Sequence, residues 1–504
     1  MENLILENID TTKDKDWIAL WLSYQPNYVI YQEEGATEQN IREAVKEYLT
    51  MLPRMLLLEG YYKGVHNVLR RIRFSQFDNA INYRLVFPEP NYIVNTLVGF
   101  GYGKGATYKL NESVKEPKAQ NALDKILTMF RKQNVQSQTA TIARYVSIYG
   151  RALEKTYINR NAEPATVAIR PTSGFVVYNN EIEQVPMYAV EFKRIDGKEP
   201  HYEIAVYDEE YVTTYKSKDM KLEALDMTAE PQEHFIGQIP IAECWNNEDL
   251  QGDFETSISL IDSKNEIGSD HINGIRQFIE NLLVFYGIST GNDEEEKALA
   301  HTKMKQLREL TVKGDGTVAN PRVEYVTSQV DHLGMNDTLK RLTDDIAKYS
   351  FVPNFTDESF AGIASGVAMA FKLIGIESKL DVKNPFMVSL LRERLQKYEN
   401  VLAVQGADLL DIRDVDITFS TKRPNIDIET ATIIPSALSV GVKPEVLAMQ
   451  FSFVNSEEQI EVPDETNEEE LNQLFAQAEE TVAEETISEP TEEVEEMPED
   501  IFEE

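Results

Sequence analysis

Apolar residues recur mostly at spacings of three, four and seven through Ile261, Ile272, Ile275, Ile279, Leu282 and Tyr286, while Glu266, Asp270, Arg276 and Glu280 occupy other faces. This pattern predicts an amphipathic helix with one buried stripe. If it runs from Asp253 to Tyr286, it spans roughly 50 Å. Gly268 and Gly274 lie within it, each costing about 1 kcal/mol against Ala in a helix interior, and a close helix-helix approach is the expected compensation. Charges recur too often for a membrane span, which needs about 20 apolar residues in succession.

Elsewhere the period changes several times. Trp17, Leu20, Trp21 and Tyr24, and then Ile41, Val45, Tyr48 and Leu49, predict short amphipathic helices. Residues 91–108 pass from a helical pattern into a Gly-rich turn, and helices return over 122–132 and 139–151. From Thr156 to Trp245 the period becomes two, through Val176, Tyr178, Tyr188, Val190, Phe192, Ile204, Val206 and Tyr215, which predicts an antiparallel sheet. Residues 287–329 read as a small insert. It holds an acidic helix over 293–310 and a hairpin of strands 309–313 and 322–327 around Gly314–Gly316, with its two ends close together. A helix over 331–349, an extended loop over 351–364 and a helical stretch over 365–404 follow; Pro385 must kink or split the last. A strand over 416–420 precedes helical residues 426–480. The class is α+β.

The 504 residues carry a net charge of −37. The last 48 of them hold 21 acidic side chains and no Lys or Arg, leaving −16 on the remainder. The Glu-rich part of that end, from Thr481 onward, predicts a disordered tail. An acidic body argues against tight, sequence-reading binding of nucleic acid, though not against DNA moving past it. The first residues lack a basic segment followed by an apolar one, so a cytosolic folding compartment is expected, and the single Cys244 cannot form an intrachain disulfide.

Chemical motifs are sparse. GFGYGKGAT at 99–107 lacks phosphate-loop spacing and reads as a turn needing positive φ. The six histidines never reach HExxH spacing, so no metal is assigned. GIASG at 362–366 is not a nucleophile elbow, and Ser365 reads as a helix N-cap. Carboxylate pairs such as Asp344 with Asp345, or Asp414 with Asp416, are expected by number alone among 86 acids. Phe351, Phe355 and Phe360 stand in a polar loop, either as core anchors or as a surface facing a partner.

Five stretches in order resemble the portal proteins of long-tailed double-stranded DNA phages: NYIVNTLVGFGYGKGATY, YGRALEKTYIN, RPTSGFVVYNNEIEQVPMYAVEF, IPIAECWNNEDLQGDFETSISLID and FTDESFAGIASGVAMAFKLIGIESK. The resemblance covers roughly residues 30–460. It implies a homo-oligomeric ring of about twelve copies at one capsid vertex. It further implies a channel for double-stranded DNA and docking of the terminase large subunit, then of head-completion or adaptor proteins, beside major capsid and scaffolding proteins. Neither membrane, cofactor, metal nor catalytic residue is implied. Such a protein is assembled in the host cytoplasm and resides in the virion.

The resemblance also implies a layout. Residues 1–252 would be a wing, 253–286 a stem helix, 287–330 a clip, 331–350 a second stem helix, 351–364 a tunnel loop, 365–425 the returning wing with its long helix, 426–480 a helical crown and 481–504 the tail. The tunnel-loop residues toward DNA would be Pro353, Asn354, Phe355, Thr356, Asp357, Glu358, Ser359 and Phe360. Stem packing would fall on Gly268, Ile272, Gly274, Ile275 and Ile279. Another head-to-tail connector ring, or an acidic cytosolic hydrolase using a carboxylate pair, are the rival readings.

Overall fold

Ile41, Ala44, Val45, Tyr48, Met51, Leu52, Met55 and Leu58 keep a helical period for five turns, and all are buried on one face of the longest helix of the N-terminal half. In a computed structural model the chain is described over residues 25–71, 82–111, 117–197, 200–218, 226–279, 282–286, 309–312, 322–326, 332–355, 366–408 and 410–421, and at 22, 299, 302 and 303. It divides into two units, Met1–Arg423 and Pro424–Glu504. The second unit, with the expected crown and tail, lies outside the described residues, as do the expected helix around Trp17 and all but three residues of 287–308.

The elements run in order β1 (Ile30–Gln32), α1 (Glu38–Tyr62), α2 (Glu89–Gly101), β2 (Ala106–Leu110), α3 (Pro117–Lys132), α4 (Val135–Tyr149), β3 (Arg151–Ile158), β4 (Pro164–Ile169), β5 (Gly174–Asn179), β6 (Pro186–Ile195), β7 (His201–Tyr207) and β8 (Tyr211–Ser217). Then come β9 (Asp226–Met227), β10 (Gln232–Glu233), β11 (Ile241–Trp245), α5 (Ile258–Ile279), β12 (Leu282–Tyr286), β13 (Glu309–Val312), β14 (Arg322–Val326), α6 (His332–Ser350), α7 (Gly366–Val404) and β15 (Val415–Phe419). Helix and sheet are mixed, as the α+β reading expects.

The period-two region forms two sheets. A larger one has the order β1-β5-β6-β7-β8-β10 with β9 also on β8, and a smaller one has the order β11-β3-β4. Its pairs are antiparallel except at the edge, where β1 lies parallel to β5. Tyr48 of α1 stacks on Phe175 and Phe192 at 4.8 and 5.6 Å, and its hydroxyl donates to the Pro171 carbonyl. Leu153, Ile169, Val176, Tyr178, Ala189 and Ile241 fill a further cluster that joins residues of both sheets.

Four expectations change. The helix at Ile41 is 25 residues long, not short, and continues through Pro53. The helix after Asp253 is shorter than its pattern: a 3-10 turn at Glu255–Ser257 leads into α5, which ends at Ile279, and Leu282–Tyr286 is a strand. A short run of Leu, Val, Phe and Tyr satisfies either period, and pairing on both edges decides for strand. The expected hairpin of 309–313 with 322–327 is replaced by the order β13-β12-β14, with β12 parallel to β13 and antiparallel to β14. Finally, of the kink or split expected at Pro385 the split does not occur, since α7 is continuous through it. The carbonyl four residues earlier loses its amide partner, but Asp381 is exposed, so water can serve it. Ser365, expected as the N-cap, immediately precedes α7 but lies outside the described residues.

Candidate functional site at the foot of a helical hairpin

Antiparallel pairing of β12 with β14 joins the far ends of α5 and α6, so the two helices and the small sheet form one hairpin with the insert at its tip. At its foot, α6 ends in a left-handed turn. The Phe351 amide donates to Lys348 O, the Val352 amide to Ala347 O, and Phe351 takes φ +61. An L-residue pays roughly 1–2 kcal/mol for that conformation, which glycine usually fills. Here a phenylalanine occupies it and remains 53% exposed, with the Lys379 ammonium 5.8 Å from its ring centre. Phe355 is 41% exposed. Both aromatics therefore face outward, while Val352 between them is buried.

The loop is pinned by a residue that the sequence did not single out. The Tyr92 hydroxyl on α2 donates to Pro353 O at 2.8 Å and accepts from the Phe355 amide at 3.2 Å. Beside it, a cleft of about 310 Å³ opens between Phe87, Tyr92, Lys264, Ile346, Val352 and Asn354. Tyr92→Phe should remove both bonds at a net cost of about 1–2 kcal/mol. Amide exchange over 351–355 should then rise about tenfold while exchange in α1 stays unchanged. Of the expected tunnel-loop residues, Pro353, Asn354 and Phe355 are thus placed on this foot; Thr356, Asp357, Glu358, Ser359 and Phe360 lie outside the described residues.

Beneath the loop is a buried ion cluster. Asp253 accepts from Lys383 at 2.9 Å and from Asn246 at 3.0 Å, and Lys379 stands 3.4 Å away. Lys383 also donates to Ser147 of α4, and Lys379 to the carbonyls of Asp253 and Ser350. Burial alone would push the Asp253 carboxyl up; Lys383, Lys379 and the Asn246 amide outweigh it and hold the carboxyl well below the usual range. One carboxylate thereby ties the approach to α5, the end of α6, α4 and α7 to a single point. A second fully buried pair, Arg394 on α7 with Glu154 on β3, fixes the C-terminal half of α7 to the smaller sheet.

The face that α5 buries is wider than its apolar period suggests: Ile261 is buried as expected, but polar residues are buried beside it. Asn265, Ser269 and Asn273 are fully buried, whereas Ile272 and Ile275 are only half-buried. The reason is an extended segment, 82–88, laid along the helix. The amides of Tyr83, Leu85 and Phe87 donate to Asn273 Oδ1, Ser269 Oγ and Asn265 Oδ1 at 2.7, 2.9 and 2.7 Å, and Asn273 returns a bond to Tyr83 O. Four helical residues rise about 6 Å and two extended residues about 6.6 Å, so the two periods match. Gly268 makes room for the Phe87 ring, 2.5 Å from where a Cβ would stand, so within the subunit its close approach is to this segment. Gly274 is half-buried, and the Ile279 side chain lies outside the described residues. The repeat of Asn, Ser and Asn at every fourth position was readable in the sequence; its meaning was not.

Among the described residues no group of His, Cys, Asp and Glu could hold a metal ion, and no helix is long and apolar enough to cross a membrane. Cys244 is buried, and burial pushes its thiol well up. Gly105, in the Gly-rich turn, takes φ +80, so that turn does use the freedom its glycines offer.

No curated protein matches the chain. A family model does, over residues 43–484, and it spans every described element from within α1 onward. With most of the chain matched, this protein belongs to the phage portal proteins of the SPP1 Gp6-like family.

Proposed function

We propose that the chain is the repeating subunit of a portal ring at a capsid vertex, with α5 and α6 as the channel-wall hairpin, the β12 to β14 sheet as its clip, and the loop from Phe351 presented at the constriction to passing double-stranded DNA. The family is a structural one, not an enzyme family, and it implies an oligomeric ring in a phage capsid. The observation that carries the finer reading is the foot of the hairpin, where two exposed aromatics stand on a loop that Tyr92 hydrogen-bonds and whose base Lys379 joins to the Asp253 cluster. A ring subunit needs a loop pinned in this way, because every copy must present the same surface. Terminase and later head-completion proteins would dock at the clip end, and the net negative charge would let DNA slide, since fixed positive rings would hold its phosphates.

Ring formation tests the reading. Negative-stain microscopy of the purified full-length chain should show rings with a central channel; a monomer at micromolar concentration under every salt condition would overturn it. Ile272 and Ile275 supply a sharper arm, because a single subunit leaves both half-buried and full burial of such a side chain contributes about 1.5–3 kcal/mol. Replacing both by serine should leave the subunit folded and raise the concentration needed for assembly at least about tenfold.

A further inference from the structure

His66 is buried at the end of α1 and makes one bond from each ring nitrogen. Its Nε2 stands 2.9 Å from the Tyr61 carbonyl, which can only accept, so Nε2 carries the proton. Its Nδ1 is then bare and accepts from Asn265 Nδ2 at 2.8 Å. The other end of the same amide, Asn265 Oδ1, accepts from the Phe87 amide, which can only donate. All three orientations are therefore mutually enforced.

We propose that His66, Asn265 and the Phe87 amide form a proton-operated latch, in which protonation of His66 releases the extended segment 82–88 from α5. A proton on Nδ1 turns that nitrogen into a donor facing the Asn265 NH2 group. The amide can satisfy it only by turning over, and that places its NH2 against the Phe87 N–H, donor against donor. The Phe87 rung is lost, and with it the end of the ladder nearest α2. An unpaired buried amide is costly, so the segment leaves the helix and lets water in.

The surroundings set the pH at which the latch works. Tyr61 stacks on the imidazole at 4.7 Å and directs its hydroxyl to Asp262 of α5. Glu89, at the start of α2, is paired with Lys264 of α5, and Arg70 lies on the Tyr61 side. Burial disfavours the imidazolium, while the Tyr61 carbonyl and Glu89 favour it; burial prevails and the group sits below its ordinary value. In the released state His66 regains an ordinary value of about 6.5. The released state thus binds protons more readily, and release becomes easier as pH falls below about 6.5, by up to tenfold per pH unit.

Hydrogen exchange measured by mass spectrometry on the full-length chain from pH 7.5 to 5.0, corrected for the intrinsic rate, tests this. Protection of a peptide covering 82–88 should fall by up to tenfold per unit below pH 6.5, while a peptide within 41–58 of α1 holds its protection. His66→Gln can donate to Tyr61 O and accept from Asn265 without titrating, so its 82–88 protection should be flat. Asn265→Asp accepts from both the Phe87 amide and a protonated His66, so protection there should hold or rise on acidification. Unchanged wild-type protection, an equal slope in His66→Gln, or a parallel loss in α1 would each overturn the latch.

Discussion

Replacing Asp253 with alanine is expected to destabilise the folded subunit by about 3–5 kcal/mol, the usual cost of leaving a buried charge without its partner. Lys383 is buried against Asp253 and Ser147, so the variant strands an ammonium group inside the protein. Chemical denaturation should show a lower midpoint at unchanged slope. The double variant Asp253→Leu with Lys383→Met should recover most of the loss, since an apolar pair of similar volume avoids both desolvation costs; failure to recover would mean that the packing, not the charge, carries the effect. The pH dependence has a definite sign. The folded-state value of Asp253 is depressed, so the stability it confers is complete above the ordinary carboxylate value of about 3.9 and is lost as pH falls below it. The gap between wild type and Asp253→Asn should therefore be flat above about pH 5 and narrow in acid.

Gly150→Ala should be nearly as damaging, and Gly64→Ala much less so, although both glycines take φ +84. Gly150 closes α4 and is backed by the segment 246–253: its carbonyl accepts from the Asn246 amide, and a Cβ on it would fall on the Leu250 carbonyl oxygen. That carbonyl is itself held by Asn27 and Arg54. The left-handed backbone costs roughly 1–2 kcal/mol and the overpacking roughly 1–3 more, giving about 2–5 kcal/mol. A Cβ on Gly64 meets nothing within 4 Å, so only the backbone cost remains. Equal melting temperatures for the two variants would show that segment 246–253 yields to the intruding carbon.

The two pairs of ionic residues show why parts of the site escaped a reading by pattern. Asp253 and Lys383 lie 130 positions apart, and Glu154 and Arg394 lie 240 apart. In a chain with 86 acids and 49 bases, nothing local distinguishes these four from charges that meet only water. Tyr92 looks like one more residue on an amphipathic helix until the loop at Pro353 is folded against it. The exposure of Phe351 and Phe355 was one of two open readings, and it is decided by Tyr92 and Lys379, which lie far off along the chain.

Local pattern was enough for the mixed class, the helices α2 to α4 and α6, the strand-rich middle, the turn at Gly105 and, through the ordered stretches, the family. Each of those rests on local periodicity, backbone preference or motif order, which are written in neighbouring residues. It took the folded chain to show that Leu282–Tyr286 is a strand, that β12 takes β13 and β14 as neighbours, that Asp253 gathers two lysines, and that α5 buries Asn265, Ser269 and Asn273 beside Ile261 while Ile272 and Ile275 stay half-buried. One cause underlies all four. A short apolar run, a charge or an asparagine has several states of similar free energy taken alone, and the choice falls to whichever distant partner satisfies its hydrogen bonds and excludes its water.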